Sequence, residues 1–253
     1  MRAIITIATL KFRELVRERV FYLALAIAFI LFGLSLVFGS LTFDEKKRIL
    51  ADFGLAGIEW SLMILAVFIG SYSLPKEFER QTCLIVLSRP VSRIDFLLGL
   101  YTGLCGVLTI LGAGLFILLL SMLEADIEVF NAVAVFLSLL MKPFICAALA
   151  FLLSLIVRPI LAAATGLCIY LVGHWLEDAR NLAIRSKNES LLQFSETMDL
   201  LAPNFYKFNW KTFYFLKEPI INEALWWMLM HSVLWVVLLL VLASLAFRRK
   251  QIV

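Results

Sequence analysis

The chain has 253 residues, a 62% apolar fraction, a mean hydropathy of +0.96 and a formal net charge of +4. Soluble domains are about 45–50% apolar, so an ordinary water-soluble fold is excluded and the apolar runs belong in a membrane. The charge is mild, and the bases cluster at the ends of apolar runs rather than in one stripe, which fits membrane topology better than phosphate binding.

The opening stretch MRAIITIATLKFRELVRERV does not read as a signal peptide, because charges interrupt it every few residues and no small-residue cleavage site follows. On a helical wheel Ile5, Ala8, Phe12, Leu15 and Val16 share one face, with Arg13, Glu14, Arg17 and Glu18 opposite. Residues 1–19 are therefore expected to form an amphipathic helix on the membrane surface, its bases toward lipid headgroups.

A hydrocarbon core about 30 Å thick takes about 20 apolar residues as helix. Six runs qualify: 20–41, 53–74, 94–123, 130–157, 160–175 and 224–247. The expected fold is an all-α integral membrane protein, one transmembrane domain over residues 1–253. Six crossings place both ends on one side, with Lys11, Arg13, Arg17 and Arg19 at the front and Arg248, Arg249 and Lys250 at the back. Lys76, Arg80, Arg89, Arg93 and Arg158 fall on the same side. The positive-inside rule makes that side, and both termini, cytoplasmic in the cell (inner) membrane. On the other side Lys46, Lys47 and Arg48 are offset by Asp44, Glu45 and Asp52, and the loop EADIE is acidic.

Residues 176–223 are too long for a plain connector. Apolar residues at Leu182, Ile184, Leu191, Leu192, Phe194, Met198 and Leu201 predict one or two short helices on the outer face. After Pro203, the aromatic run NFYKFNWKTFYFLKEP is expected to form an interfacial belt, and not a single-strand nucleic-acid platform. Cys83, Cys105, Cys146 and Cys168 include no CxxC pair and read as small packing residues.

Between the second and third runs, residues 75–93 form a charged island, PKEFERQTCLIVLSRPVSR. Pro75 suits the first turn of a new short helix, and Glu77 and Glu79 suit its positive end. Ser-Arg-Pro stops that helix, and Ser92 with Asp95 three residues later signals the start of the next one. The run KEFERQTCLIVLSRPVSRIDFLLGLY resembles the signature of permease subunits of type-2 ATP-binding-cassette transporters. The likeness rests on Glu77, Glu79, Thr82, Leu87, Ser88, Pro90, Ser92, Arg93 and Gly99. It departs at Gln81, where Gly is usual, and at Leu100, where Lys is common. GHWLEDAR and LAPNFYKFN are further similar to the branch associated with maturation of multicopper enzymes and nitrous-oxide reductase.

The resemblance implies a six-crossing permease with an interfacial first helix, a cytoplasmic coupling helix and an outer segment between the last two crossings. The island would be that coupling helix. Glu77, Glu79, Arg80 and Arg93 would set orientation against an ATPase subunit, while Phe78, Leu84 and Leu87 would pack in its groove, with Thr82 and Pro90 in the same docking set. The chain holds no G-x-x-x-x-G-K-[ST], so ATP and Mg would belong to a separate P-loop ATPase and this chain carries no cofactor. A second permease chain, identical or closely related, membrane lipid, and an accessory protein at the outer segment complete the expected partners. The function implied is coupling of that ATPase to export or to work outside the membrane. The alternative is a membrane assembly factor or scaffold, in which the island recruits a cytoplasmic partner without a transport cycle.

Lys142 lies about 18 Å into the fourth run, counted from Phe130 at 1.5 Å per residue. A base at that depth faces protein or a wet cavity. It lines a translocation path or contacts an acidic group of a substrate, or it is a structural lysine paired with a carboxylate or with carbonyls freed by a kink at Pro143. His174 and His231 have no Cys or carboxylate at metal-ligand spacing, and no Met/Cys/His cluster would hold copper. Without G-x-S-x-G, H-E-x-x-H or paired intramembrane aspartates, the chain is not expected to be an enzyme.

Overall fold

The computed structural model describes residues 2–40, 46–79, 92–123, 129–186, 189–201, 203–209 and 222–249. Over these residues the chain is helical: α1 (Arg2–Leu15), α2 (Arg19–Ser40), α3 (Lys46–Glu79), α4 (Arg93–Leu123), α5 (Val129–Ile156), α6 (Pro159–Ser186), α7 (Glu189–Leu201), a 3-10 turn (Phe205–Phe208) and α8 (Asn222–Arg249). Six of them, α2 to α6 and α8, are long and apolar enough to cross a membrane. The chain is thus a multi-pass membrane protein in its architecture.

Burial sorts these six into a centre and a rim. In α3 and α5, 72% of the apolar window is buried, against 22% in α2 and 28% in α8. Helix α3 packs on α2, α4, α5 and α6, and α5 packs on α3, α4, α6 and α8. The outward side chains of the rim are large and apolar, including Phe29 and Ile30 in α2 and Leu234 and Val237 in α8, as lipid contact requires. Small residues bring the central pair together: a Cβ at Gly70 of α3 would lie 2.9 Å from Cβ of Ala150 in α5.

Two helix starts follow directly from local sequence. Ser92 Oγ accepts from the Asp95 backbone N–H at 3.0 Å, so the S-x-x-D signal does cap α4. Pro159 occupies the first position of α6, where its missing N–H costs nothing, and only Val157 and Arg158 separate it from α5.

Three expectations need correction. Pro75 does not begin a new helix; it lies inside α3, which continues to Glu79. At 34 residues, about 51 Å, α3 outreaches a core of about 30 Å. Lys76 and Glu77, just after the proline, are tied by ion pairs to α1, which holds that last turn in line. Similarly, α6 runs eleven residues past Trp175 to Ser186, so part of the presumed outer loop is a continuation of the fifth apolar helix. Finally, Phe205 and Phe208 do not face an interface. They are 0% and 1% exposed, because a 3-10 turn puts residues three apart on one side and that side inserts into the bundle. The remainder of the aromatic run, 210–221, lies outside the described residues.

Candidate functional site

The island's first root is built by α1. Gly99 and Gly103, one turn apart on α4, form its seat: a Cβ at Gly103 would lie 2.8 Å from the Ala8 carbonyl oxygen, and one at Gly99 2.7 Å from Ile7 Cβ. With α1 backbone pressed on α4 backbone, the face of α1 packed in the bundle takes in Lys11 beside Ala8, Phe12 and Leu15 of the wheel's apolar face. Ile5 is 60% exposed, whereas Lys11 turns inward and is 3% exposed. A lysine stem packs well along apolar surface, provided its ammonium is paired. Lys11 Nζ donates to Glu77 Oε1 at 3.1 Å and to Glu14 Oε2 at 2.9 Å. Lys76 Nζ lies 2.8 Å from the other oxygen, Glu14 Oε1, and also pairs with Glu18. Glu14 therefore bridges two lysines, and the ring of charges locks α1 to the end of α3.

Partial burial by itself would raise the Glu14 carboxyl, but the hydrogen bonds and charges of Lys76 and Lys11 outweigh it and hold Glu14 below the ordinary carboxylate range. A carboxyl lowered on folding contributes stability above its unfolded value and loses it as pH falls through the folded one. Hydrogen exchange in residues 2–15, corrected for intrinsic rates, is therefore expected to quicken on acidification below about pH 4.5. In Glu14→Gln it should already be fast at pH 7. A wild-type pH profile identical to that of Glu14→Gln would refute the bridge.

The second root is Arg93. Its Nη1 donates to the carbonyls of Phe247 at 3.2 Å and Arg248 at 3.3 Å, and its guanidinium sits 5.7 Å from the Phe247 ring centre. These carbonyls belong to the last turn of α8, where backbone acceptors lack helical partners and a cation is favoured. Phe247 is fully buried, 5.7 Å from the ring of Phe78 and 6.5 Å from that of Phe96. Both roots thus meet on one aromatic residue of α8.

Of the residues expected to dock a partner, Glu77, Phe78 and Arg93 are engaged within the chain, and Glu79 is exposed. Arg80, Thr82, Leu84, Leu87 and Pro90 lie outside the described residues.

Deep in the bundle, Lys142 of α5 is 0% exposed and donates to Glu59 Oε1 of α3 at 2.6 Å. Tyr170 of α6 donates to the same oxygen at 2.8 Å. The ion pair cancels the charge that the membrane interior penalises, and Tyr170 adds a third helix to it. Above it, the Phe205 ring stands 5.4 Å from that of Tyr170. Gly173 makes that approach possible, since a Cβ there would lie 2.6 Å from the Pro203 carbonyl oxygen. Glu59 escaped the sequence reading, although a lone carboxylate inside a crossing is the natural partner for an intramembrane base.

His174 rests against Tyr170 with ring centres 5.7 Å apart, and His231 lies 6.0 Å from Phe208 and 6.4 Å from Trp235. Among the described residues no three of His, Cys, Asp and Glu gather at metal-binding distance. Cys105, Cys146 and Cys168 are free thiols, and Cys83 lies outside the described residues. No protein-family model matches the chain, and no curated protein matches it.

Proposed function

We propose that the chain is the membrane-spanning permease subunit of a type-2 ATP-binding-cassette transporter, coupling a separate P-loop ATPase to export or to work outside the membrane. The observation that carries the reading is the anchoring of both roots of the charged island. Lys11, Glu14 and Lys76 join the first root to α1, and Arg93 with Phe78 joins the two roots to α8. A force applied to residues 80–91 would reach α1, α3, α4 and α8 together, which a coupling element needs and a topological loop does not. The signature residues from Glu77 to Gly99 support the same reading. In it, Glu79 is the part of the docking set that faces outward at the first root, Arg80 to Pro90 make the contact surface, and the termini are cytoplasmic. A second copy of the chain, or a close relative, completes the permease.

Affinity purification of the full-length chain from its native membrane tests the proposal. A P-loop ATPase is expected to co-purify in a fixed ratio, and Glu79→Arg should reduce its recovery at least tenfold without changing the thermal midpoint of the permease. Wild-type chain that brings down no ATPase, or an intact and ATP-hydrolysing complex with Glu79→Arg, would overturn it.

A further inference from the structure

A pocket of about 540 Å³ opens where α1 turns into α2 and both meet α3. Its rim carries four bases, Lys11, Arg17, Arg19 and Lys76, and one acid, Glu18. Lys11 is taken up by Glu14 and Glu77, and Lys76 by Glu14 and Glu18. Arg17 and Arg19 are different: both are exposed, and neither forms an ion pair among the described residues. Counting Glu14 and Glu77 behind the rim, four bases face three acids, and the uncompensated charge sits on these two arginines. Arg19 also opens α2, so the positive end of that helix lies at the same place.

The floor has the opposite character. Phe68, Ile69 and Tyr72 of α3, with Val20 of α2, line it. Counting along α3, Tyr72 and Phe68 lie about 6 and 12 Å deeper than Lys76. Both are partly exposed, at 43% and 41%. An anionic rim ligand therefore continues into an apolar trough pointing toward the membrane interior. A free phosphate would use the rim and leave the trough empty, whereas a phospholipid fills both.

We infer that this pocket is a binding site for one anionic phospholipid, its phosphate held by Arg17 and Arg19 and an acyl chain lying along Tyr72 and Phe68. The lipid would brace the elbow between α1 and α2, next to the charge ring that holds the island's first root. The inference depends on the membrane architecture alone and stands whether or not an ATPase docks on the island.

The full-length chain, purified in neutral detergent and stripped of native lipid, is titrated with phosphatidylglycerol, with phosphatidylcholine and with inorganic phosphate. Binding is read as lipid retained per chain by native mass spectrometry and as the shift in thermal midpoint. Phosphatidylglycerol is expected to bind one per chain and to raise the midpoint; phosphatidylcholine should bind at least tenfold more weakly. Arg17→Gln/Arg19→Gln should weaken phosphatidylglycerol roughly tenfold or more, as loss of two surface bases predicts, with the lipid-free midpoint unchanged because neither arginine is paired. Arg17→Gln alone provides the same comparison if the double variant is poorly recovered. Equal binding of the two lipids, or undiminished binding by both arginine variants, would overturn the inference. So would an equal shift from inorganic phosphate, which would reduce the pocket to a small-anion site.

Discussion

Replacing Lys142 with methionine is expected to destabilise the bundle by about 3–5 kcal/mol, because it leaves the Glu59 carboxylate buried without its counter-ion. The site offers no easy relief. Lys142 and Glu59 are 0% and 1% exposed, and Tyr170 supplies one hydrogen bond but no charge. Glu59→Gln alone should be similarly harmful, since it strands the ammonium. The double replacement Lys142→Met/Glu59→Gln should recover most of the loss, because Gln is neutral and can still accept from Tyr170. Thermal midpoints of the four proteins in one detergent give the coupling directly. Simple addition of the two single losses would show that the pair does not act as a unit. High salt should change little, as a buried pair is poorly screened.

Gly103→Leu is expected to lift α1 from α4 at a cost of about 1–3 kcal/mol. The first added atom would already lie 2.8 Å from the Ala8 carbonyl oxygen and 3.0 Å from Lys11 Cβ. A backbone oxygen cannot swing aside, so the helix as a whole must move, and the Lys11–Glu77 pair opens with it. The change should appear as faster hydrogen exchange throughout residues 2–15, with the α3–α5 centre unchanged. Gly114→Leu is the matched control: it lies on the same helix, and a Cβ there meets nothing within 4 Å. If both variants behave alike, close packing of α1 on α4 is not what holds it. If only Gly103→Leu responds, the island's first root depends on that contact, and partner recovery should fall with it.

Lys142 shows why part of this site was legible and part was not. A lysine about 18 Å into an apolar run is costly enough to require a partner wherever the chain folds. The need for compensation could therefore be read from one strand of letters. Its partner could not, because Glu59 lies 83 residues away and only the packing of α3 on α5 brings the two together. The same division runs through α1. Its amphipathic period was visible, but Lys11 on the buried face was not foreseeable without Gly99 and Gly103, which let the two backbones approach, and Glu77, which neutralises the ammonium. Pro75 misled for a related reason. Local rules favour a helix start there, whereas ion pairs just beyond it hold α3 continuous.

By itself the sequence determined the membrane class, the six apolar helices, the Ser92 cap and the two-residue link at Arg158, because these follow from transfer free energy and local backbone chemistry. Only the tertiary structure shows which charges meet, that Lys11 lies on the packed face of α1, that α3 runs on through Pro75 and α6 past Trp175, and that Phe205 and Phe208 enter the bundle. Those outcomes depend on contacts between residues far apart in the chain, and neither periodicity nor composition encodes them.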